Sequence, residues 1–258
     1  NSNDGSCLYP VYGCTDPIAF NYDSLANIDD GNCCYINIFN QIGQDLDGND
    51  GDEFGTSVAI SSDGSIVAIG SPNADITWNN DGYVSVYENI AGVWNQIGSD
   101  IQGGTDQNSY FGYSVSLSSD GNILAVGQPG HNYGGWVSVY FNNAGTWSLL
   151  DVIGPDNLGD SFGKSVSLSS DGNIIAVGAP GDDGNGSSSG NVKVFEFNGV
   201  YWNQLGQDID GEAAGNSSGI SRSLSADGLT VAIGAIGNDG NGAASGHVRI
   251  YNWNGSAW

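Results

Sequence analysis

Ser161–Gly181 reads SFGKSVSLSSDGNIIAVGAPG, and this stretch decides the fold. Val166 and Leu168 alternate with serines, then Ile174–Ala179 is apolar or small at nearly every position. The pair Asp171-Gly172 lies between the two runs. Alternation before an Asp-Gly turn and an apolar run after it predict a β-hairpin. Its first strand has one covered face, and its second is buried on both. The phrase returns as EFGTSVAISSDGSIVAIGSPN from Glu53, YFGYSVSLSSDGNILAVGQPG from Tyr110 and SSGISRSLSADGLTVAIGAIG from Ser217. The turn aspartates are Asp63, Asp120, Asp171 and Asp227. A repeat of roughly fifty-five residues holding several short strands predicts a propeller or a similar array of small sheets.

Working outward, each unit closes on a tryptophan: Trp94, Trp147, Trp202 and Trp258. After Trp202 the run NQLGQDI supplies another strand. The expected fold is all-β, an array of four four-stranded blades over residues 38–258 behind a small disulfide-bonded module in residues 1–37. The Val192, Val194 and Phe195 run is mixed and is expected further from the core. Phe54, Phe111 and Phe162 each precede a glycine and are expected to anchor blade to blade. Ser218 stands where the fourth phenylalanine is due, and Arg222 replaces the next core valine, marking a terminal or interface blade. Phe39–Leu46 is expected either to complete the last blade or to leave that edge to further blades or a neighbouring subunit.

Charge narrows the partners. The 258 residues hold 29 acidic and 4 basic side chains, a net charge of −25. Such a surface repels phosphate backbones and anionic lipid, so nucleic acid is excluded as a partner. The sequence has no apolar run of about 18 residues, so direct membrane insertion is not expected. All four cysteines fall within the first 34 residues. That pattern suits a small disulfide module in an oxidising compartment, hence an extracellular or cell-surface protein.

Two resemblances follow. GCTDPIAFNYDSLANIDDGNCCY, from Gly13 to Tyr35, resembles a short Cys-containing repeat of large surface proteins of marine bacteria and other aquatic microbes. In that repeat Cys14 and Cys33 are the matching pair, which implies a bridge between them. Cys7 would then be left to Cys34, although four cysteines alone allow three connectivities. Phe162-Gly163 followed by Val177-Gly178-Ala179-Pro180 resembles the FG-GAP repeat, the blade of integrin α-subunit propellers. This implies a propeller in an extracellular protein, of a kind that often binds partners or calcium. The calcium loops of that family carry several carboxylates, whereas Ser-Ser-Asp-Gly offers one. Asp63, Asp120, Asp171 and Asp227 are therefore read as turn formers.

Calcium is nonetheless the expected cofactor, because hard cations take several oxygens from a flexible loop. The first candidate ligands are Asp45, Asp47, Asn49 and Glu53, whose oxygens recur along a Gly-containing loop. The second set is Asp16, Asp23, Asp29 and Asp30, for which the competing role is the Asx turn. Asp182-Asp183-Gly184-Asn185 and Asp208-Ile209-Asp210-Gly211-Glu212 are further acidic loops. No serine lies in a nucleophile elbow, and His131 and His247 are far apart, so no catalytic residue is expected. Trp78, Tyr133, Trp136 and Trp253 lie in or near loops and suit stacking on sugars. The function expected is structural or adhesive, with other protein subunits or cell-surface glycans as partners and self-assembly as a further mode. The alternative is a carbohydrate-binding module.

Overall fold

The computed structural model describes residues 10–34, 41–104, 106–130 and 134–258. The chain divides into two units, Asn1–Ile42 and Gly43–Trp258. All regular structure among the described residues is β.

In the first unit Tyr12–Gly13 pairs in parallel with Ile28–Asp29. Cys14 and Cys33 are bridged, with Cα atoms 4.9 Å apart across a sequence separation of 19. This is the pairing that the first resemblance implied. So short a segment cannot build a large apolar core, and a loop of this size gains roughly 3 kcal/mol from the crosslink. Cys34 is exposed and carries a free thiol. Its expected partner Cys7 lies outside the described residues.

The second unit is a four-bladed propeller array of antiparallel sheets. Blade 1 holds Ser57–Ile60, Ile66–Ser71, Tyr83–Ile90 and Val93–Gln96, with Ile101–Gln102 also on its third strand. Blade 2 holds Ser114–Leu117, Ile123–Gln128, Trp136–Asn143 and Thr146–Ile153. Blade 3 holds Ser165–Leu168, Ile174–Ala179, Asn191–Phe197 and Trp202–Gln204, with Ile209–Asp210 on its third strand. Blade 4 has only Ser218–Leu224, Thr230–Ala235 and His247–Asn252. The expectation of four four-stranded blades is corrected there: the last sheet is three-stranded.

The cores lie between blades. One cluster joins Val84 and Val86 of blade 1 to Phe111, Val115 and Val126 of blade 2. A second joins Val137 and Val139 to Phe162, Val166 and Val177. A third joins Val192 and Val194 to Val231 and Ile233. Phe111 and Phe162 are fully buried, so these two anchor their blades against the preceding ones, whereas Phe54 of blade 1 is only partly buried. The second hairpin strand is buried on both faces, as Ile175, Ala176 and Val177 are. Val192 and Val194 are buried as well, which corrects their expected outer position. Their alternation has Lys193 between them, so one apolar face meets blade 4 while the other carries a charge.

Each junction repeats one backbone contact. The second-strand glycines Gly70, Gly127 and Gly178 face the carbonyl oxygens of Gly112, Gly163 and Gly219 in the following blade. A Cβ at any of the three would lie 2.0 Å from that oxygen. The same carbonyls accept hydrogen bonds from Ser57, Ser114 and Ser165 Oγ, at 2.6, 2.9 and 2.7 Å. Nearer the turns, Ser62 N–H donates to Ser119 O, Ser119 N–H to Ser170 O, and Ser170 N–H to Ala226 O. The Phe-Gly and Gly-x-Pro pieces of the repeat are thus two halves of one inter-blade joint.

Candidate functional site

The hairpin turns are held by local hydrogen bonds. Ser61, Ser118, Ser169 and Ser225 each donate Oγ–H to the turn aspartate two residues on, at 2.6 to 2.7 Å. The same carboxylates accept the N–H of Ser65, Asn122, Asn173 and Leu229. The serine hydroxyls in turn accept the N–H of Ile66, Ile123, Ile174 and Thr230. Turn formation therefore accounts for all four aspartates. The Ser61 hydroxyl, aided by the N–H and hydroxyl of Ser65, draws Asp63 down from 3.8 to about 2. Hydrogen bonding to a carboxylate favours its charged form.

The second candidate cation set is engaged in the same way. Asp16, Asp23, Asp29 and Asp30 each accept the N–H two residues on, from Ile18, Leu25, Gly31 and Asn32. These are Asx turns. In the first set, Asn49 Nδ2 donates to Asp52 Oδ2 at 3.0 Å, and Tyr83 OH donates to that same oxygen at 3.1 Å. Asp52, which the sequence reading passed over, is the buried member of this loop. Asp45, Asp47 and Glu53 are exposed. No three His, Cys, Asp or Glu side chains among the described residues stand close enough to hold a metal ion.

The fold does bring together the later acidic loops. Asp156, Asp160, Asp182, Asp183, Asp208 and Asp210 line a cleft of about 510 Å³ at blade 3. Lys193, buried on the third strand, enters this group: its ammonium bridges to Asp156 and lies 3.2 Å from Asp208 Oδ2. Burial opposes its charge, but the Asp156 hydrogen bond and the Asp208 charge outweigh it, and Lys193 is held above its ordinary value. Burial and then the Asp182 charge raise Asp160. Burial, then Asp208 and Asp182, raise Asp210. Sequence gave the loops at 182–185 and 208–212, but not Asp156 and Asp160 beside them, nor the lysine that neutralises them.

These opposed shifts predict a two-part acid response. Asp160 and Asp210 have raised folded values, so their contribution to stability grows as pH falls from those values towards 3.8. Asp63, Asp171 and Asp227 have lowered values, so their contribution is present above 3.8 and is lost as pH falls through the folded values. Carboxyl-carbon NMR is expected to show Asp63 titrating near 2, and Ser61→Ala is expected to return it towards 3.8. An Asp63 that titrates at 3.8 in the folded chain refutes this account.

A different cleft, of about 400 Å³, is shared by blades 1, 2 and 3. Glu53, Tyr110 and Ser161, the residues before each Phe-Gly, line it together with Pro72, Pro129 and Lys164. All three hold φ near +50°. Lys164 Nζ lies 3.9 Å from the centroid of the Tyr113 ring, a cation–π contact. The described loop aromatics form no shared platform. Trp78 is exposed, whereas Trp253 packs on Trp258 with centroids 5.4 Å apart. Trp136 covers Gly154, and Tyr133 lies outside the described residues, as does His131. His247 faces Glu212 at 3.8 Å.

Residues 45–87 and 156–195 match the FG-GAP repeat. They hold the first two strands and most of the third in blades 1 and 3, so the FG-GAP likeness read from the sequence stands. No curated protein matches the chain. Among solved structures, hydrazine synthase of Kuenenia stuttgartiensis is similar over 83% of this chain, at 16% identity and a TM-score of 0.49. The chain spans 49% of that protein's length.

Proposed function

We propose that the chain is a non-catalytic extracellular module of structural or adhesive type, part of a larger surface or filament-forming assembly. It meets other proteins at the Phe-Gly end of its blades. The observation that carries this is the cleft of Tyr110, Tyr113, Pro72, Pro129 and Lys164, built by three successive blades. Tyrosines that offer an apolar ring beside a polar tip are favoured in protein contacts. FG-GAP propellers are of protein-interaction or adhesion type, and a disulfide such as Cys14–Cys33 persists in an oxidising compartment. The test is a panel of immobilised extracellular proteins and glycans, probed with the wild type and with Tyr113→Ala. Retention on protein with at least about tenfold loss in the variant is expected, the scale of one anchoring aromatic. Retention on glycans alone would move the reading to a carbohydrate-binding module.

Calcium belongs to the same proposal as a stabilising counter-ion for a chain of net charge −25. Asp45, Asp47, Asn49 and Glu53 would have to turn inward to ligate it, and Asn49 would have to leave Asp52. A melt in excess calcium is expected to lie above one in chelator, by roughly 2.7 kcal/mol at 100 times the dissociation constant. Magnesium at equal ionic strength is the control. Coincident midpoints in all three solutions would leave the acidic loops merely solvated.

A further inference from the structure

Blade 3 has a short side chain where blade 1 has a long one. Tyr83 pairs with Ser71 and Asn191 with Ala179, each just past the joint glycine Gly70 or Gly178, so the two hold the same place in their sheets. Asp52 and Asp160 are equivalent as well, since each stands two residues before its Phe-Gly. In blade 1 the Tyr83 hydroxyl donates to Asp52 Oδ2 at 3.1 Å. In blade 2 the same place falls to Trp136, another large ring. Asn191 is shorter than either and has no hydroxyl to give Asp160; its Nδ2 lies 3.4 Å from Asp208 Oδ2 instead. The acidic cleft of about 510 Å³ opens on this side of blade 3.

Beneath that cleft lies an acceptor without a donor. Asn191 is 0% exposed, and its Oδ1 is buried with no hydrogen-bond partner. Asn191 stands directly opposite Asp210 in the ladder, and Lys193 follows two residues on, so the three side chains share one face. Asp210 lines the cleft, and the Lys193 ammonium meets Asp156 and Asp208 in it. The unpartnered oxygen is therefore aimed the same way. A buried acceptor left unpaired is costly, and a ligand that brings a donor removes the cost. Asp160 and Asp182 add to the demand. Both are 5% exposed, and neither lies within ion-pair distance of a cation among the described residues.

These demands select the ligand. No three carboxylates among the described residues stand close enough to share a metal ion, and the cleft has room for much more than one ion. What fits is an organic cation whose N–H groups spread over several acceptors. A guanidinium carries five N–H donors in a planar fork and is more weakly hydrated than an ammonium, so it suits buried carboxylates better. We infer that the blade 3 cleft takes an arginine side chain of a partner protein, its guanidinium lodged among Asp160, Asp182 and Asn191 Oδ1. Asp160 and Ser161, neighbours in sequence, line this cleft and the tyrosine cleft respectively. The arginine site is nonetheless separate, and it stands whether or not the tyrosine cleft binds protein.

The probe is acetyl-arginine amide, whose ends carry no charge, titrated to about 20 mM so that millimolar dissociation constants are reached. The isotope-labelled chain is followed by amide NMR at about 0.15 M salt, where charges more than about 8 Å apart are screened. The amides of Asp183, Gly184 and Asp210 and the Asn191 side-chain amide are expected to shift together and to saturate. Acetyl-citrulline amide, of the same shape without the charge, is expected to bind at least about tenfold more weakly. Asn191→Tyr copies blade 1 at unchanged net charge and is expected to abolish the shifts while circular dichroism shows a folded chain. Asp182→Asn, the second variant, is expected to weaken binding about tenfold. Shifts that persist undiminished in both variants would reflect general attraction to an acidic surface and overturn the proposal. Tighter binding of spermidine would make the ligand a free polyamine, and shifts with calcium but none with the arginine probe would make the cleft a metal site. Either result overturns it, as does a titration with no shifts at all.

Discussion

Gly127→Ala is expected to destabilise the chain by about 3 kcal/mol, the upper range for an added methyl in a packed core. Gly234→Ala in dilute solution is expected to shift stability by less than about 0.5 kcal/mol, as surface substitutions do. The same substitution on the same strand position gives two results because of what the methyl meets. At 127 it would lie 2.0 Å from the Gly163 carbonyl oxygen and 2.3 Å from Ser114 Oγ. The hydroxyl can rotate away, but the carbonyl belongs to the Phe-Gly turn of blade 3 and already accepts the Ser114 hydrogen bond. Relief therefore requires blades 2 and 3 to separate, which opens the cluster of Val137, Val139, Phe162 and Val166. At 234 the one close atom is Ser221 Oγ, at 2.4 Å. Urea unfolding of the two variants beside the wild type measures the difference. Equal losses would mean that the glycine serves its own strand rather than the joint.

Lys193→Met is expected to cost about 3 kcal/mol at pH 7, the low end for removing one partner of a buried ion pair. The low end applies because Asp156 is largely exposed and Asp208 partly so, and solvent screens what they lose. The buried lysine is the cation of the blade 3 cleft, and methionine keeps most of its length without the charge. Asp156, Asp160, Asp182, Asp208 and Asp210 would then face one another with less to offset them, Arg249 still acting on Asp210. The loss is expected to shrink as pH falls through the raised values of Asp160 and Asp210, where protonation removes the repulsion. Adding Asp208→Asn is expected to recover part of it. Urea midpoints of the single and double variants at neutral and mildly acidic pH test this. A loss independent of pH would assign Lys193 a packing role instead.

The two unfolding experiments probe different kinds of information in the chain. Much of the fold is local and was legible. An Asp-Gly pair between apolar runs specifies a hairpin whatever surrounds it, and Ser61, Ser118, Ser169 and Ser225 close the same turn on the same carboxylates. Repetition of that unit set the number of blades. The Phe-Gly and Gly-x-Pro spacing of the first three repeats marked the joints, because a motif that recurs from blade to blade answers a contact that recurs with it. The Asx turns at Asp16, Asp23, Asp29 and Asp30 were legible in the same way, since an acidic side chain two residues before an N–H satisfies it locally.

What remained hidden depends on which residues meet across blades. Val192 and Val194 read as mixed because Lys193 lies between them, yet blade 4 buries them while the lysine turns to the cleft. Asp156 and Asp208 are remote in sequence and share that lysine only because the loop before blade 3 and the strand after it return to one place. The ends of the array were equally illegible. Val58 and Val115 hold equivalent positions in like sequences, at 65% and 8% exposure, and nothing in either phrase tells them apart. Their fates differ because a blade has two faces and its sequence encodes both. Only the arrangement of the blades decides which face has a neighbour, since burial is a property of the pair and not of the strand.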